Sequence, residues 1–221
     1  MNADLNVRVV LGTASMAWLD AADTGVWRKP LERHDDAGSG ATSMLKCAPG
    51  CAFDPPDDAL GDEILVLDGV LADERAEYAA GAYLRNPPDS PCVPRTDQGC
   101  VLFVKRYPFD SADSAVVRID TLNARWLPGL VPGLSVLPLH EHRHEHAALV
   151  RWQPETYFQS HAHFGGEEIL VLSGLFEDEF GRYPAGTWIR SPHMSRHQPF
   201  SRAGCTIYVK TGHLFREHGA G

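Results

Sequence analysis

The chain has 221 residues, of which 43% are hydrophobic and 22% are charged, and this composition excludes an intrinsically disordered protein. Its 20 Lys and Arg stand against 29 Asp and Glu, which gives a formal net charge of -9 with no basic cluster and so excludes direct nucleic-acid binding. No apolar stretch approaches the ~20 residues that span a bilayer and the first residues lack a signal-peptide pattern, so we expect a cytoplasmic protein with no membrane partner.

The chain begins with a segment, 1–25, that is predicted to be an N-terminal arm. Apolar and polar side chains alternate between Leu5 and Val9, a pattern typical of a strand with one buried face. We therefore expect the arm to add an edge strand to one of the sheets.

A segment of the sequence occurs twice, at a fixed offset of 105 positions (166 against 61). Residues 61–69 read GDEILVLDG and residues 166–174 read GEEILVLSG, which agree at seven of nine positions. Across 61–87 and 166–192, 14 of 27 positions are identical. Agreement of this extent at one offset indicates a duplicated domain, and the long repeat unit excludes a solenoid.

Each copy is predicted to consist of short β-strands. In the second copy, aliphatic and β-branched runs alternate with glycine and proline, and no long helical period appears. These runs are ALVRW at 148–152, ILVL at 169–172, TWIR at 187–190 and TIYVK at 206–210. Because such spacing is typical of antiparallel sandwiches and barrels, we predict an all-β chain with domains at 26–110 and 111–215 and a tail at 216–221.

The second copy carries the residues of a candidate metal site. Ten of the 11 histidines lie at or after residue 140, and His161 and His163 are two positions apart, so on a strand they point to one face. Two glycines then allow a tight turn from which Glu167 can return on the neighbouring strand, and His197 follows 30 residues later. Three imidazoles and one carboxylate suit a divalent transition metal with one or two positions left for water or a ligand.

A second carboxylate competes with Glu167 for the ligand role. Glu168 is adjacent in sequence, and its counterpart Glu63 persists in the first copy, where the histidines do not. We therefore expect Glu168 to have a structural role, and Glu167 fits the ligand spacing better.

The predicted ligands and their glycine and proline frame resemble the two sequence motifs of the cupin superfamily. The first motif has the form G-x5-H-x-H-x3/4-E-x6-G, and the second has the form G-x5-P-x-G-x2-H-x3-N. The matching positions are His161, His163, Glu167, Gly174, Gly186, Pro192 and His197. The resemblance implies two tandem cupin barrels, each a double-stranded β-helix or jelly roll.

The sequence departs from the cupin motifs at positions that hold no metal. Gln153 lies near the leading glycine of the first motif, with Glu155 closer to that position. Met194 takes the place of the glycine in the second motif, and Ser201 takes the place of its final asparagine. None of these positions supplies a metal ligand, so the predicted site is unaffected.

The residues around the ligands more narrowly resemble the ChrR-type cupin domain, the zinc-binding C-terminal half of an anti-sigma factor. The shared pattern is His-x-His-x-Gly-Gly-Glu-Glu-Ile-Leu-Val-Leu-x-Gly, then Tyr-Pro-Ala-Gly-Thr-Trp and a late Gly-Cys, and it covers roughly 145–210. The resemblance favours zinc, with iron, manganese and nickel as alternatives. It also implies a sigma factor as partner, although the His-x3-Cys-x2-Cys signature of the separate sigma-binding zinc domain is absent before the first copy.

The first copy lacks the histidines of the second. The residues equivalent to the four predicted ligands are, in chain order, Pro56, Asp58, Asp62 and Cys92. Two aspartates and a cysteine could in principle hold an ion, but the mixed set matches no common metal site. We predict a metal-free structural domain that supplies packing surface or a pseudo-dimer interface, and a homodimer of the whole chain stays open as an alternative.

Other polar residues are weaker candidates. The histidine-rich tract 140–146 is predicted to be a solvated loop, with a lid or a second metal site as alternatives. His193 is expected beside the ligands or on the surface, and His213 and His218 are expected in a mobile tail.

The five cysteines are sparse and odd in number, which favours reduced thiols over a disulfide framework. Cys47 and Cys51 are close in sequence but have no partnering histidines. We therefore do not predict a zinc site in this part of the chain.

Two functions from different classes follow from the predicted metal site. By resemblance, the protein is a metal-binding regulatory or sensory module whose ion responds to an oxidant or a small ligand at its open coordination position. Alternatively it is a small-molecule enzyme, such as a β-diketone-cleaving dioxygenase or an isomerase, whose metal activates dioxygen or polarises a substrate oxygen. No proton-transferring base stands out in the sequence, so catalytic residues are not assigned.

Overall fold

The computed structural model describes residues 1–20, 24–33, 40–52, 60–88, 90 and 93–214. Within these residues the regular structure is β-strand apart from one 3-10 turn at Thr13–Ser15, which confirms the predicted all-β class. No helix in the described residues is both long and apolar enough to cross a membrane.

The described residues contain 22 strands. Those up to residue 120 are β1 (Val9–Gly12), β2 (Leu19–Asp20), β3 (Val26–Arg33), β4 (Ala41–Cys47), β5 (Cys51–Ala52), β6 (Gly61–Ala72), β7 (Glu77–Ala79), β8 (Ala82–Asn86), β9 (Arg95–Thr96), β10 (Cys100–Tyr107) and β11 (Val117–Asp120). Those after residue 120 are β12 (Leu127–Pro128), β13 (Leu134–His142), β14 (Glu145–Trp152), β15 (Thr156–Tyr157), β16 (His161–Ala162), β17 (Glu167–Asp178), β18 (Gly181–Pro184), β19 (Thr187–Ser191), β20 (Arg196–His197), β21 (Phe200–Ser201) and β22 (Cys205–Thr211).

The chain folds as two compact units of corresponding topology. The first consists of Met1–Ala3 and Met16–Ala124, and its described strands follow the order β11-β8-β6-β10-β4-β3-β2. The second consists of Asp4–Ser15 and Arg125–Gly221, and its described strands follow the order β1-β19-β17-β22-β14-β13-β12. The two orders match strand for strand, as a domain duplication requires.

Each unit gains an edge strand from a segment that lies outside the domain range predicted for it. The arm does add an edge strand, but this strand is β1 at Val9–Gly12 and not the predicted segment Leu5–Val9, of which residues 5–8 are not in a strand. β1 pairs antiparallel with β19 of the second unit and aligns Val9 with Arg190. The equivalent edge strand of the first unit is β11, where Val117 aligns with Arg85. The compact units therefore differ from the predicted domain ranges, because the arm 1–25 is divided between the two units and the boundary follows Ala124 and not residue 110.

The repeated sequence motif forms a strand that is buried on both faces. Ile169 and Val171 pack in the core of the second unit, while Leu170 between them points to the opposite face and is still only 2% exposed. The equivalent residues 64–66 are buried in the same way in the first unit. Burial on both sides explains why the motif is a continuous apolar run rather than an alternating one.

A glycine ends each copy of the motif where the strand passes very close to its neighbour. Gly69 and Gly174 have φ angles of 73° and 74°, a region that glycine adopts without strain. A Cβ at Gly174 would lie 2.8 Å from the Cα of Cys205, and a Cβ at Gly69 would lie 2.9 Å from the Cα of Cys100. Conformation and space thus both require glycine at these two positions.

Candidate metal centre

The four predicted ligands come from neighbouring strands of the second unit. β16 pairs antiparallel with β20, and this register places His161 directly opposite His197. His163 follows β16, and two glycines with φ angles of 72° and 76° turn the chain into β17, whose first residue is Glu167. The tight turn and returning strand expected from the sequence are therefore present.

Three of these residues hold their donor atoms close to the separations that one metal ion requires, and the fourth lies beside them. The Nε2 atoms of His163 and His197 are 3.0 Å apart, and they lie 3.4 and 3.6 Å from the carboxylate oxygens of Glu167. The ring of His161 completes the group, and the three histidines offer nitrogens within 4.8 Å of one another. Two ligands each about 2.1 Å from an ion are roughly 3.0–3.4 Å apart, so the donor set fits a divalent transition metal.

Burial of the four ligands gives the site its electrostatic character. It raises the pKa of Glu167 to about 7 and, together with the neighbouring His197 and His161, lowers the pKa of His163 to about 3. Burial also lowers the pKa of His161. The lowered pKa values keep His161 and His163 in the neutral form that binds a cation, whereas the raised pKa of Glu167 favours its protonated form, so metal binding at this residue would release a proton.

Two of the imidazoles are oriented through their second ring nitrogen. Nδ1 of His161 lies 3.0 Å from the carbonyl oxygen of Gln159, a contact that leaves Nε2 as the free donor for an ion. Nδ1 of His197 lies 3.6 Å from Oδ2 of Asp178. Although burial opposes the charged form of His197, the nearby carboxylates of Asp178 and Glu167 leave the pKa of His197 above the ordinary value.

Asp178 is itself held in place by a network that the sequence analysis did not assign to the site. Its carboxylate accepts hydrogen bonds from the hydroxyl of Tyr183 at 2.8 Å and from the guanidinium of Arg8 at 3.0 Å. The repeat contained the signal for this pair, because Asp73 and Tyr78 occupy the same positions in the first copy. Arg8 could not be found in this way, since 170 residues separate it from Asp178.

The first unit has a corresponding network, which makes a matched test of Asp178 available. Asp73 accepts hydrogen bonds from the hydroxyl of Tyr78 and from Arg118. We expect Asp178→Asn to weaken metal binding roughly 10- to 100-fold, because the carboxylate that orients His197 is lost. A chelator-competition titration measures this dissociation constant.

The control for this prediction is Asp73→Asn, which breaks the same kind of network in the first unit. Both substitutions are expected to lower the melting temperature, but only Asp178→Asn should change the metal affinity. Equal affinities in the two variants would show that Asp178 has a structural role alone.

A mainly apolar cavity of about 230 Å³ adjoins the four ligands. Its wall includes Leu134, Val150, Trp152, Phe158, Phe176 and Ile207. No lysine or arginine is among the described residues that line it. Trp152 lines the cavity, and its Nε1 is buried with no hydrogen-bond partner in the described structure.

The histidine-rich tract is the end of a β-hairpin, so the predicted loop is wrong, although its side chains are partly or fully exposed to solvent as expected. β13 ends at His142 and β14 begins at Glu145, and these two residues are paired across a two-residue turn. The tract alternates histidine with charged residues, and this alternation is the period of a strand.

His193, which is expected beside the ligands or on the surface, accepts a hydrogen bond from the amide of Gly165 at 2.9 Å. This hydrogen bond fixes the turn that leads to the ligands.

His213 does not belong to a mobile tail, and that prediction is wrong. Its Nε2 lies 3.1 Å from Oε2 of Glu168, and its side chain is 5% exposed. Glu168 also accepts a hydrogen bond at 2.7 Å from Nε1 of Trp188. These contacts give Glu168 structural partners, while His218 lies outside the described residues.

In the first copy the structure describes one of the four positions equivalent to the ligands. Asp62 accepts a hydrogen bond at 2.7 Å from Nδ2 of Asn86, and burial raises its pKa. Pro56, Asp58 and Cys92 lie outside the described residues. The absence of a metal from the first copy therefore stays a prediction.

Comparison with known proteins identifies the sequence family of the chain and proteins of the same fold. The family described as ChrR Cupin-like domain matches residues 6–110 and, a second time, residues 114–215. No curated protein sequence matches the chain significantly.

Three solved structures illustrate the likeness in fold. A Cupin 2 conserved barrel domain protein from Leptotrichia buccalis has a TM-score of 0.65 at 8% identity, over 96% of this chain and 99% of that one. A provisionally assigned dioxygenase from Nostoc punctiforme has a TM-score of 0.75 at 13% identity, over 97% and 85%. Oxalate decarboxylase from Lactobacillus farciminis, in a formate complex, has a TM-score of 0.63 at 11% identity, over 94% and 87%. Together with the double family match, these likenesses confirm two tandem cupin barrels.

Proposed function

The chain belongs to the ChrR cupin-like domain family, and from this premise we propose that its second domain is a metal-dependent binding site for a small, largely apolar ligand. The ion would be held by His161, His163, Glu167 and His197. The observation that carries the proposal is the cavity, because the ligands form one part of its wall and apolar side chains form most of the rest.

The chemistry of the ligand follows from the two parts of the cavity wall, which are the proposed metal centre and the apolar side chains. Three imidazoles and one carboxylate leave one or two coordination positions, so a molecule with one or two oxygen donors can reach the ion. The apolar wall favours a hydrocarbon body behind those oxygens. A small dianion such as oxalate is disfavoured relative to a neutral chelating ligand, because apart from the ion itself no described lining residue carries a positive charge and most of the remaining wall is apolar.

Trp152 carries a buried indole N–H in the wall of the cavity. This donor has no hydrogen-bond partner among the described residues, and leaving such a group unsatisfied costs roughly 1–3 kcal/mol. A ligand acceptor that reaches the N–H after a small turn of the indole would recover part of that cost. Trp152 is therefore proposed to help select and orient the ligand.

Oxidation of the bound ligand is a second candidate function, which a redox-active ion in this site would favour. When bound, the metal would polarise an oxygen of the ligand or, if it is iron or manganese, would activate dioxygen. Apart from the proposed metal ligands, Thr211 and Trp152 are the polar residues among the described lining. Neither is a base at neutral pH, so the cavity favours metal-based oxidation over proton-transfer isomerisation.

The ligand proposal is tested by calorimetric titration of the zinc-loaded protein with pentane-2,4-dione, a small chelating diketone. We expect binding that disappears when a chelator removes the metal, and no binding of oxalate under the same conditions. Trp152→Phe should weaken diketone binding roughly 3- to 10-fold through the lost hydrogen bond. Oxalate binding with no diketone binding would contradict the proposal.

The control variant is Trp27→Phe, which changes a tryptophan of β3 in the first unit and should leave diketone affinity unchanged. An unchanged affinity in Trp152→Phe would remove the proposed role of its indole. Oxygen consumption by the iron-loaded protein with the diketone separates the two functions, because simple binding consumes none.

A further inference from the structure

The first unit contains two cysteines that face each other on adjacent strands. β4 and β10 are antiparallel, and their register places Cys47 directly opposite Cys100. Side chains of directly opposed residues lie on the same face with Cβ atoms about 4.5–5.5 Å apart. The Cα separation of such a pair lies within the range that a disulfide spans, and its Cβ atoms need to approach only to about 3.5–4.5 Å, so the bond requires a small movement of the strands.

Both cysteines lie inside the core of the first unit together with a third. Cys47, Cys51 and Cys100 are 3%, 7% and 4% exposed and belong to one cluster of buried residues. All three are free thiols in the structure. The Sγ of Cys51 is directed to the carbonyl oxygen of Thr24 at 3.5 Å, which occupies its proton.

The thiols of Cys47 and Cys100 are also chemically unequal. The Cys47 thiol donates a hydrogen bond to the sulfur of Cys100, which lowers the pKa of Cys100 and raises the pKa of Cys47. Cys100 therefore has the greater thiolate character and is the better nucleophile of the pair.

The second copy shows that this pair is not a requirement of the fold. Cys205 is equivalent to Cys100, and the residue opposite it is Trp152. The residue equivalent to Cys51 is Thr156. The second unit thus keeps one thiol and an indole where the first unit has three thiols, so the pair is specific to the first copy.

We propose that Cys47 and Cys100 form an oxidation site for a small hydroperoxide. The Cys100 thiolate attacks the terminal oxygen of the peroxide, the O–O bond breaks, and water or an alcohol leaves. The Cys47 sulfur then attacks the resulting sulfenic acid, and a second water leaves as the disulfide forms. In sum, two thiols and one hydroperoxide give one disulfide, one water and one water or alcohol.

The burial of the pair limits the oxidants that can act on it. Hydrogen peroxide can reach a buried sulfur through small fluctuations, whereas glutathione disulfide requires an open approach to the thiol. We therefore expect hydrogen peroxide to oxidise the pair much faster than glutathione disulfide does.

The test treats the reduced full-length chain with hydrogen peroxide and maps its disulfides by peptide mass spectrometry. The expected product is a Cys47–Cys100 disulfide with a mass loss of about 2 Da from the two departing hydrogens. Because the bond closes a long loop, the melting temperature should rise by roughly 5–10 °C and return to its original value on reduction. This measurement on the unaltered chain does not depend on the folding of any variant.

Substitutions of single cysteines then identify which two residues form the disulfide. Cys47→Ala and Cys100→Ala should each abolish the disulfide and the rise in melting temperature, while Cys51→Ser should keep both. Cys205→Ser is the matched control, because it changes the equivalent cysteine of the second copy.

Three outcomes would overturn the proposal. One is a disulfide that joins a different pair, including one with Cys92. Another is oxidation of Cys100 to sulfinic acid without a disulfide. The third is survival of both thiols under conditions that oxidise the denatured chain.

Discussion

The double variant His161→Ala/His163→Ala is expected to lose stoichiometric metal binding, with an affinity at least about a thousandfold weaker than that of the unaltered chain. Zinc binding by four protein ligands is worth roughly 10–16 kcal/mol, so the loss of two imidazoles removes about half of it. Elemental analysis of protein purified without a tag, followed by chelator competition, measures the change.

A second pair of histidines in the same unit provides the control. His140 and His142 have the same spacing and lie on β13, outside the group of converging nitrogens. His140→Ala/His142→Ala should therefore keep one ion per chain. If the ion survives the change at His161 and His163, or leaves with the control pair, the assigned metal centre is wrong.

The metal found in the unaltered protein also separates the two proposed functions. Stoichiometric zinc, with a lower melting temperature in the His161→Ala/His163→Ala variant, would favour a structural or sensory ion. Bound iron or manganese, with oxygen consumption on addition of pentane-2,4-dione, would favour a dioxygenase.

The substitution Gly69→Ala is expected to destabilise the first unit by roughly 2–5 kcal/mol. A left-handed backbone costs a non-glycine residue about 1–2 kcal/mol, and the new Cβ would also meet the backbone of Gly99 and Cys100. Neighbouring strands can relieve that contact only by shifting. Thermal and denaturant unfolding, followed by tryptophan fluorescence and circular dichroism, measure the loss.

Gly50→Ala separates the two causes because Gly50 has nearly the same φ angle, 75°, but no atom within 4 Å of the added Cβ. This variant should lose only the backbone part, about 1–2 kcal/mol. The equivalent of Gly69 in the second copy, Gly174, should behave like Gly69. Equal losses in Gly50→Ala and Gly69→Ala would show that conformation alone, and not close packing, requires glycine there.

The candidate ligands could be predicted from the sequence because their arrangement is local. His161 and His163 share a strand face at a spacing of two, and two glycines lead directly into Glu167. The distant ligand His197 follows 30 residues after Glu167, and the resemblance to the second cupin motif supports its inclusion. Its position opposite His161 depends on the pairing of β16 with β20, which short strands do not encode individually.

Other features could not be predicted from the sequence, because they depend on contacts between distant parts of the chain. Arg8 reaches Asp178 across 170 positions, and no local pattern connects the two residues. The tract 140–146 was misassigned because its composition resembles a loop, although its alternation is that of a strand. His213 was assigned to the tail from its position near the C terminus, but it is buried against Glu168.

The sequence by itself determined the duplication, the all-β class and the four candidate ligands, because repeats, periodicity and short motifs are written in consecutive residues. Only the tertiary structure decided which unit each edge strand joins, which carboxylate orients His197, and that Cys47 faces Cys100. It also decided that an apolar cavity adjoins the ligands. The physical reason is that strand register and closure of a barrel arise from the packing of residues far apart in the chain, and local periodicity does not specify those partners.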